Sequence, residues 1–136
     1  MILDVFTYFS SKFYKYCSLP FFKLWCVINF FIKYIFFGYE NAFLSLSRYD
    51  KFNVKLIMKL IGAKIGDKSV IDSGIRFHNC KNLRNLEIGD NCYIGPNVII
   101  QKGTIIGRGS IVGANSFVNK NVPENSKVYG NPIIQS

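Results

Sequence analysis

Hydrophobic positions recur every six residues through the second half of the chain. Cut from residue 88, the sequence reads IGDNCY, IGPNVI, IQKGTI, IGRGSI, VGANSF and VNKNVP. The first position is always a branched aliphatic residue, the fourth is always Asn or Gly, and the fifth is always small or β-branched. A helix would need apolar residues at i+3 and i+4, where this pattern has polar corner residues, so the spacing excludes a helix over 88–122.

The six-residue period predicts short strands joined by turns, three of which complete one triangular coil of a parallel β-helix. The branched residues would stack in a narrow interior, and Asn or Gly would occupy corners where φ is positive. Upstream, IGDKSV (65–70) and IDSGIR (71–76) fit the pattern. The register then slips once between Phe77 and Ile88, which predicts a bulge or a short outward loop. About ten hexads in all give a little over three coils.

The residues before position 60 lack the repeat and are rich in Phe, Tyr and Trp. We therefore divide the chain into a helical segment, 1–60, and an all-β repeat domain, 61–136. Residues 21–37 are predicted to form a helix that begins near Pro20 and ends at Gly38. Residues 51–61 are predicted to form a short amphipathic helix that leads into the repeat.

Lys23, Asn29 and Lys33 form a single polar stripe on the otherwise apolar 21–37 helix. The helix could lie in the headgroup layer of a membrane with its lysines facing anionic lipid, or it could cover the end of the repeat domain. A membrane span is disfavoured, because a span needs ~20 apolar residues and this shorter run contains two lysines. We expect peripheral contact with the membrane surface through 1–38.

The amino-acid composition limits which partners, redox states and metal sites are plausible for the chain. Lys and Arg number 17 against 8 Asp and Glu, for a net charge of +9, but no basic stripe or RNA-binding aromatic motif supports a nucleic-acid partner. Four cysteines without CxxC spacing or a secretory context indicate reduced thiols in the cytoplasm, and Cys92 falls in the inward fifth position. The single histidine, His78, excludes metal sites and mechanisms that need two or three imidazoles from one chain.

The repeat and its ending resemble the hexapeptide-repeat acyltransferases, which include serine, maltose, galactoside and polysaccharide O-acetyltransferases. The resemblance covers roughly 58–136 and rests on KLIGAKIGDKSVID, on FHN and NLEIGDNCYIGPNVII, and on GTIIGRGSIVGANSFVNKNVPENSKVYGNP. It implies a left-handed parallel β-helix, a homotrimer with active sites between neighbouring subunits, and acetyl-CoA as the acyl donor, without a metal. A histidine would act as general base on the acceptor hydroxyl.

Carried over by position, the resemblance implies a donor site formed by Pro96, Ala114, Asn119 and Lys120. Ala114 would allow close approach of the pantetheine arm, and Lys120 would meet the CoA phosphates as a point charge. His78 is the only imidazole available as the catalytic base. Its alternative role is that of an outward residue hydrogen-bonded at a loop.

The chain departs from the family where the catalytic histidine is usually found. NVII runs directly into QKGTIIG, where family members have a coil with a histidine-bearing loop, and 79–136 contains no histidine. Asn121 replaces the acidic residue usual before Val-Pro, and Ile134 stands where Lys or Arg commonly follows Gly-Asn-Pro.

Two functions stay open. The first is an O-acetyltransferase that moves an acetyl group from acetyl-CoA to a sugar hydroxyl of a surface polysaccharide or its lipid-linked precursor. The second is a catalytically inactive trimeric β-helix scaffold that lacks the coil with the catalytic histidine. A β-helical carbonic anhydrase is excluded, because its zinc needs three histidines drawn from two neighbouring chains and each copy of this chain has only one.

Overall fold

A computed structural model describes residues 20–49 and 51–135, which form two helices followed by eleven short strands. Helix α1 spans Pro20–Leu46 and helix α2 spans Lys51–Leu60. The strands are β1 (Lys64–Ile65), β2 (Val70–Ile71), β3 (Arg76–His78), β4 (Glu87–Ile88), β5 (Tyr93–Ile94), β6 (Ile99–Gln101), β7 (Ile105–Ile106), β8 (Ile111–Val112), β9 (Phe117–Val118), β10 (Lys127–Tyr129) and β11 (Ile134–Gln135).

The strands form three sheets that the chain visits in turn. Sheet A has the order β1-β4-β7, sheet B the order β11-β10-β8-β5-β2, and sheet C the order β3-β6-β9. Every pairing between one coil and the next is parallel, and only β11 runs antiparallel to its neighbour, β10. The parallel β-helix predicted from the six-residue period, and the helical segment before it, are therefore confirmed.

The first residue of each hexad fills the interior of the β-helix. From Ile88 to Val118, all six of these side chains are at most 3% exposed. The fifth residues also point inward, and their side chains link one coil to the next. Ser69 Oγ donates to Gly89 O at 2.6 Å, Cys92 Sγ donates to Gly107 O at 3.1 Å, and Ser110 Oγ donates to Pro123 O at 2.6 Å. The small fifth residue thus leaves space for the next coil and also satisfies one of its carbonyls.

Five of the six predicted corners from residue 88 onward have positive φ. The values are 54° for Asn91, 57° for Asn97, 73° for Gly103, 70° for Gly109 and 58° for Asn115. These angles lie in the left-handed region, which Gly and Asn enter at lower cost than other residues.

The prediction of a sixth corner with positive φ at Asn121 is wrong. Val122 bridges Ile106, sixteen positions earlier, whereas Ile106 pairs with Ile88, eighteen positions earlier. The last coil is therefore two residues shorter. No residue in 119–122 has positive φ, and the next corner falls on Asn125 (53°), stacked on Gly109. Asn121 instead accepts a hydrogen bond from Ile105 N through Oδ1, at 2.9 Å. Its side chain takes the place of a backbone carbonyl in the ladder between coils.

The structure has a register slip after Phe77, as predicted, but it is larger than one residue and the connecting segment has a different conformation from the predicted loop. Lys64 pairs with Glu87, an offset of 23 positions that exceeds the regular 18 by five. The connection, 79–86, does not loop outward. It turns back over the core, because Cys80, Leu83 and Leu86 are buried.

The prediction that the first helix ends at Gly38 is only partly right. Gly38 has non-helical angles (φ 82°, ψ 162°), but the helix resumes after this kink and continues to Leu46. The resumed part is held by burial of Ala42, Phe43 and Leu46. Helix α2 falls where the amphipathic pattern predicted it, within one residue.

Both helices cover the first coil of the β-helix. Helix α1 contacts β3 and α2 contacts β1 and β2, and the ring centroids of Phe43 and Phe77 lie 5.7 Å apart. Ile57 and Met58 of α2 are fully buried in the same core. No helix in the described ranges is long and apolar enough to cross a membrane.

The corners give a direct test of the hexad register. A Cβ added at Gly103 would meet no atom within 4 Å, so Gly103→Val adds no clash at Cβ and mainly tests the positive φ. We expect a loss of about 1–3 kcal/mol in the free energy of unfolding, measured by denaturant titration. Lys102→Val, at the exposed neighbouring position, should cost less than ~0.5 kcal/mol. Equal losses for the two variants would show that the register is wrong.

The hydrogen bond from Asn121 gives a second test. Asn121→Ala leaves the Ile105 N–H without this acceptor, and we expect a loss of about 1 kcal/mol in the free energy of unfolding. Asn121→Asp keeps an acceptor oxygen at the same place and should be close to wild type in thermal denaturation. A loss of the same size for Asn121→Asp would mean that the side chain contributes by some other contact.

Candidate active site

The candidate base, His78, lies at the end of β3, at the corner between sheets C and A. Its side chain is exposed. In the next coil His78 pairs with Gln101, and the same register, Ile100 with Val118, places Asn119 one coil further on. The three polar side chains therefore form a column, one from each coil.

The backbone at His78 is held by two hydrogen bonds. Its carbonyl accepts one from Lys102 N at 3.2 Å and one from Cys80 Sγ at 3.4 Å. The imidazole itself contacts the ring of Phe117, with centroids 5.7 Å apart and an edge-on angle of 82°. Among residues 20–49 and 51–135, no carboxylate accepts a hydrogen bond from the imidazole. Packing on Phe117, not an ion pair, therefore sets its orientation.

Cys80 lies beside this histidine but is unsuited to act as a nucleophile. Its side chain is buried, and desolvation raises the pKa of the thiol, while the nearby Lys102 charge acts weakly in the opposite direction. The thiol is therefore neutral near pH 7, and the neutral form is the less reactive one. The part of the chain described here also holds no group of three or more His, Cys, Asp or Glu side chains that could bind a metal ion.

Two lysines occupy equivalent positions at the corner between sheets C and A where His78 lies, which we call the histidine corner. Lys102 and Lys120 are both exposed and are third residues of their hexads, in successive coils. Neighbouring strands lie about 4.8 Å apart, so the two ammonium groups can reach the same anionic ligand. Sequence reasoning selected Lys120 and missed Lys102, although the shared position in IQKGTI and VNKNVP was a usable signal.

Pro96 and Ala114 lie at a different corner, between sheets B and C. They stack in successive coils, because Asn115 N donates to Pro96 O at 2.9 Å. The coils approach closely here, and a Cβ added at Gly95 would lie 2.8 Å from Ala114 N. The structure thus places Asn119 and Lys120 at the same corner as His78, two coils away, and places Pro96 and Ala114 at the opposite end of the strands of sheet C.

A furrow on sheet A was not foreseen from the sequence. It has a volume of about 660 Å³ and crosses β1, β4 and β7, and its floor includes three stacked second-position glycines: Gly66, Gly89 and Gly107. Its charged walls are paired, with Lys64 Nζ 2.7 Å from Glu87 Oε1 and Arg108 3.8 Å from Glu124. Because these charges are already matched, the furrow is a weaker anion site than the histidine corner.

Comparison with known proteins supports the repeat assignment. Residues 85–120 match the family model described as "Bacterial transferase hexapeptide (six repeats)". No curated protein matches the chain.

The solved structures that match the chain include several acetyltransferases. A maltose O-acetyltransferase from Clostridium difficile 630 is 32% identical over 54% of this chain and 46% of that one, with a TM-score of 0.47. The polySia-specific acetyltransferase NeuO is 24% identical over 54% of this chain and 50% of that one, with a TM-score of 0.41. The chain spans about half the length of each.

A third structure is a hexapeptide-repeat acetyltransferase from Vibrio cholerae O1 biovar eltor in complex with acetyl-coenzyme A. It is 19% identical over 68% of this chain and 80% of that one, with a TM-score of 0.42. The match to the repeat model, not these structural scores, carries the assignment. Residues 85–120 match a bacterial transferase hexapeptide repeat, and the resemblance of the chain to the hexapeptide-repeat acyltransferases is confirmed.

Proposed function

We propose that the protein is an O-acetyltransferase that moves an acetyl group from acetyl-CoA to a sugar hydroxyl in surface polysaccharide biosynthesis. The observation that carries the proposal is the histidine corner of a transferase-type repeat, where the single imidazole of the chain is exposed beside Lys102 and Lys120. A sugar hydroxyl needs a general base, and CoA carries phosphates that bind cations. The histidine corner offers a base, His78, and two cations, Lys102 and Lys120.

In the proposed reaction, His78 removes the proton from the acceptor hydroxyl as its oxygen attacks the thioester carbonyl. The tetrahedral intermediate collapses by breaking the carbon–sulfur bond, and the leaving thiolate takes the proton from the imidazolium. The products are the acetyl ester and free CoA. Lys102 and Lys120 bind the CoA phosphates, Asn119 lies at the far end of the His78 column, one coil beyond Gln101, and no metal takes part.

The division of the donor residues between two corners supports a homotrimer. Pro96 and Ala114 are separated from Asn119 and Lys120 by the width of sheet C, so we propose that a neighbouring subunit completes each site. Sheet B carries a column of exposed apolar side chains, Val70, Tyr93 and Ile111, which are 41%, 42% and 41% exposed and aligned strand to strand. An exposed apolar column on a short β-helix is a candidate subunit interface.

A second candidate function is a catalytically inactive trimeric scaffold that retains CoA binding. It is favoured by the absence, among the described residues, of a carboxylate bonded to the His78 imidazole. For either function we propose a cytoplasmic protein at the inner face of the membrane, in contact with it through 1–38. Residues 1–19 of this segment lie outside the described residues.

Catalysis is tested by two substitutions at the histidine corner. His78→Ala should lower turnover by ~10²–10⁴, the usual contribution of a positioned general base, with little change in CoA affinity. Lys120→Ala should raise the KM for acetyl-CoA with a smaller effect on turnover. Both are measured as thiol release from acetyl-CoA with a panel of sugar acceptors.

Three outcomes would revise this assignment. Full activity in His78→Ala would mean that the base lies elsewhere. An unchanged donor KM in Lys120→Ala would remove that lysine from the donor site. Wild-type protein that binds CoA but acetylates no acceptor would establish the scaffold function.

The trimer is tested by sedimentation at micromolar concentration. Ile111→Lys places a charge in the apolar column of sheet B and should shift trimer toward monomer. Ile105→Lys is the matched control, because Ile105 occupies the same hexad position on sheet A and is 44% exposed. A stable, active monomer in the wild type would refute the trimer, and equal effects of both variants would refute sheet B as the interface.

A further inference from the structure

The outer face of α1 is apolar and exposed to solvent. Nine of the described large hydrophobic side chains between Pro20 and Gly38 are 36–77% exposed, and seven of them lie on this face: Phe21, Leu24, Ile28, Phe31, Ile32, Ile35 and Phe36. On a helix with 3.6 residues per turn they cover an arc of about 140° that contains no polar residue. An apolar face of this width would normally be buried against a core or inserted in a lipid surface.

The opposite side of α1 is buried, and the ring centroid of Phe30 on that side lies 6.3 Å from that of Phe43. Cys26 and Phe30 lie there and are 1% and 0% exposed. Lys23 and Lys33 are on this same side of the helix, not on the outer face. The outer face of α1 therefore does not include these two lysines and is more apolar than the polar stripe in the sequence indicated.

Helix α2 adds a second exposed apolar row. Phe52, Leu56 and Leu60 follow one another at i+4 spacing and are 66%, 38% and 54% exposed. Two exposed lysines, Lys51 and Lys59, lie beside this row, whereas Lys55 between them donates to Ser69 O at 3.1 Å. An apolar row beside exposed lysines is typical of helices that lie at a membrane interface.

A basic cleft lies along one flank of the outer face of α1. It has a volume of about 250 Å³ and is lined by Phe31 and Tyr34 of α1, Leu60 of α2, and Lys81 and Arg84 of the 79–86 connection, among others. Tyr34 Oη donates to Lys81 O at 3.5 Å, which ties the connection to the helix. No carboxylate is among the described residues that line this cleft, so its positive charge is not neutralised locally.

We propose that this surface docks on an anionic lipid bilayer. The outer face of α1 enters the interfacial layer, and Lys81 and Arg84 contact the lipid phosphates at headgroup depth. Charge favours lipid over a second copy of the same surface, because a symmetric contact would bring each cleft's cations near those of its partner. Helix α2 adds the exposed lysines Lys51 and Lys59 and contains no carboxylate. Acetyl transfer is not required for this inference.

The apolar contribution is tested by flotation of the full-length protein with vesicles of phosphatidylcholine and phosphatidylglycerol. Ile35 and Phe36 are 72% and 75% exposed, so the double variant Ile35→Ser/Phe36→Ser should fold normally. It should float on the order of tenfold less. The matched control, Ile105→Ser/Ile134→Ser, changes two exposed apolar residues of the repeat domain and should float like wild type.

The charge contribution is tested by Lys81→Gln/Arg84→Gln. Binding to vesicles with phosphatidylglycerol should fall roughly tenfold, whereas the weaker binding to phosphatidylcholine alone should not change. Lys68→Gln/Arg76→Gln removes two exposed charges from the repeat domain and serves as the control. High salt should release wild-type protein only in part, because the apolar face is not screened.

Equal flotation of wild type and Ile35→Ser/Phe36→Ser would overturn the proposal. So would a wild type that does not float but sediments as an assembly that this variant disrupts, because a second copy would then be the occupant. Loss of binding in the charge controls equal to that in Lys81→Gln/Arg84→Gln would show that net charge, not this cleft, attracts the protein.

Discussion

The left-handed backbone conformation at the corners determines the geometry of the whole β-helix. Strands of two or three residues can close a triangular coil only if the chain turns sharply after each one, and at most of these corners the turn is made by a residue with positive φ. Even Lys68, which lacks the tolerance of Gly or Asn, adopts φ 56° at its corner. Once the corners are fixed, one branched residue per strand points to the axis, and outward residues align in columns with one member per coil.

These columns connect the fold to the candidate chemistry. His78, Gln101 and Asn119 share one column, and Lys102 and Lys120 share the next position, because the pairings of sheet C keep the same register. On a helix or an open sheet, His78 and the two lysines would lie far apart, because they are distant in sequence. On a β-helix, residues that are distant in sequence become neighbours at one corner, so a base and two cations can serve the same ligand.

The sequence predicted the parts of the fold that depend on local spacing. The interior and five corners repeat every six residues, and each of those residue types has its own physical reason. The predictions of the fold fail where a different chemical group can make the same hydrogen bond or fill the same buried position. Asn121 supplies its side-chain oxygen in place of a backbone carbonyl, and Val122 is apolar in either register, so the two-residue shortening leaves no mark in the pattern.

The same reasoning explains what was missed elsewhere. Gly38 does break the helix, but Ala42, Phe43 and Leu46 find a buried surface that restarts it. At the candidate site, spacing alone places Asn119 and Lys120 near His78. The contact of His78 with Phe117, two strands away in sheet C, depends on how far two rings reach, which hexad spacing does not encode.

Both ends of the β-helix are covered by chain that does not continue the parallel pattern. Helices α1 and α2 lie over the first coil, β11 runs antiparallel to β10, and Phe117 pairs with Gly130 and Ile133 above sheet C. An uncovered parallel edge would be a template for another molecule to add strand upon strand. The aromatic helices and the reversed final strand therefore also act as terminators, which keep a self-complementary stack from polymerising into fibres.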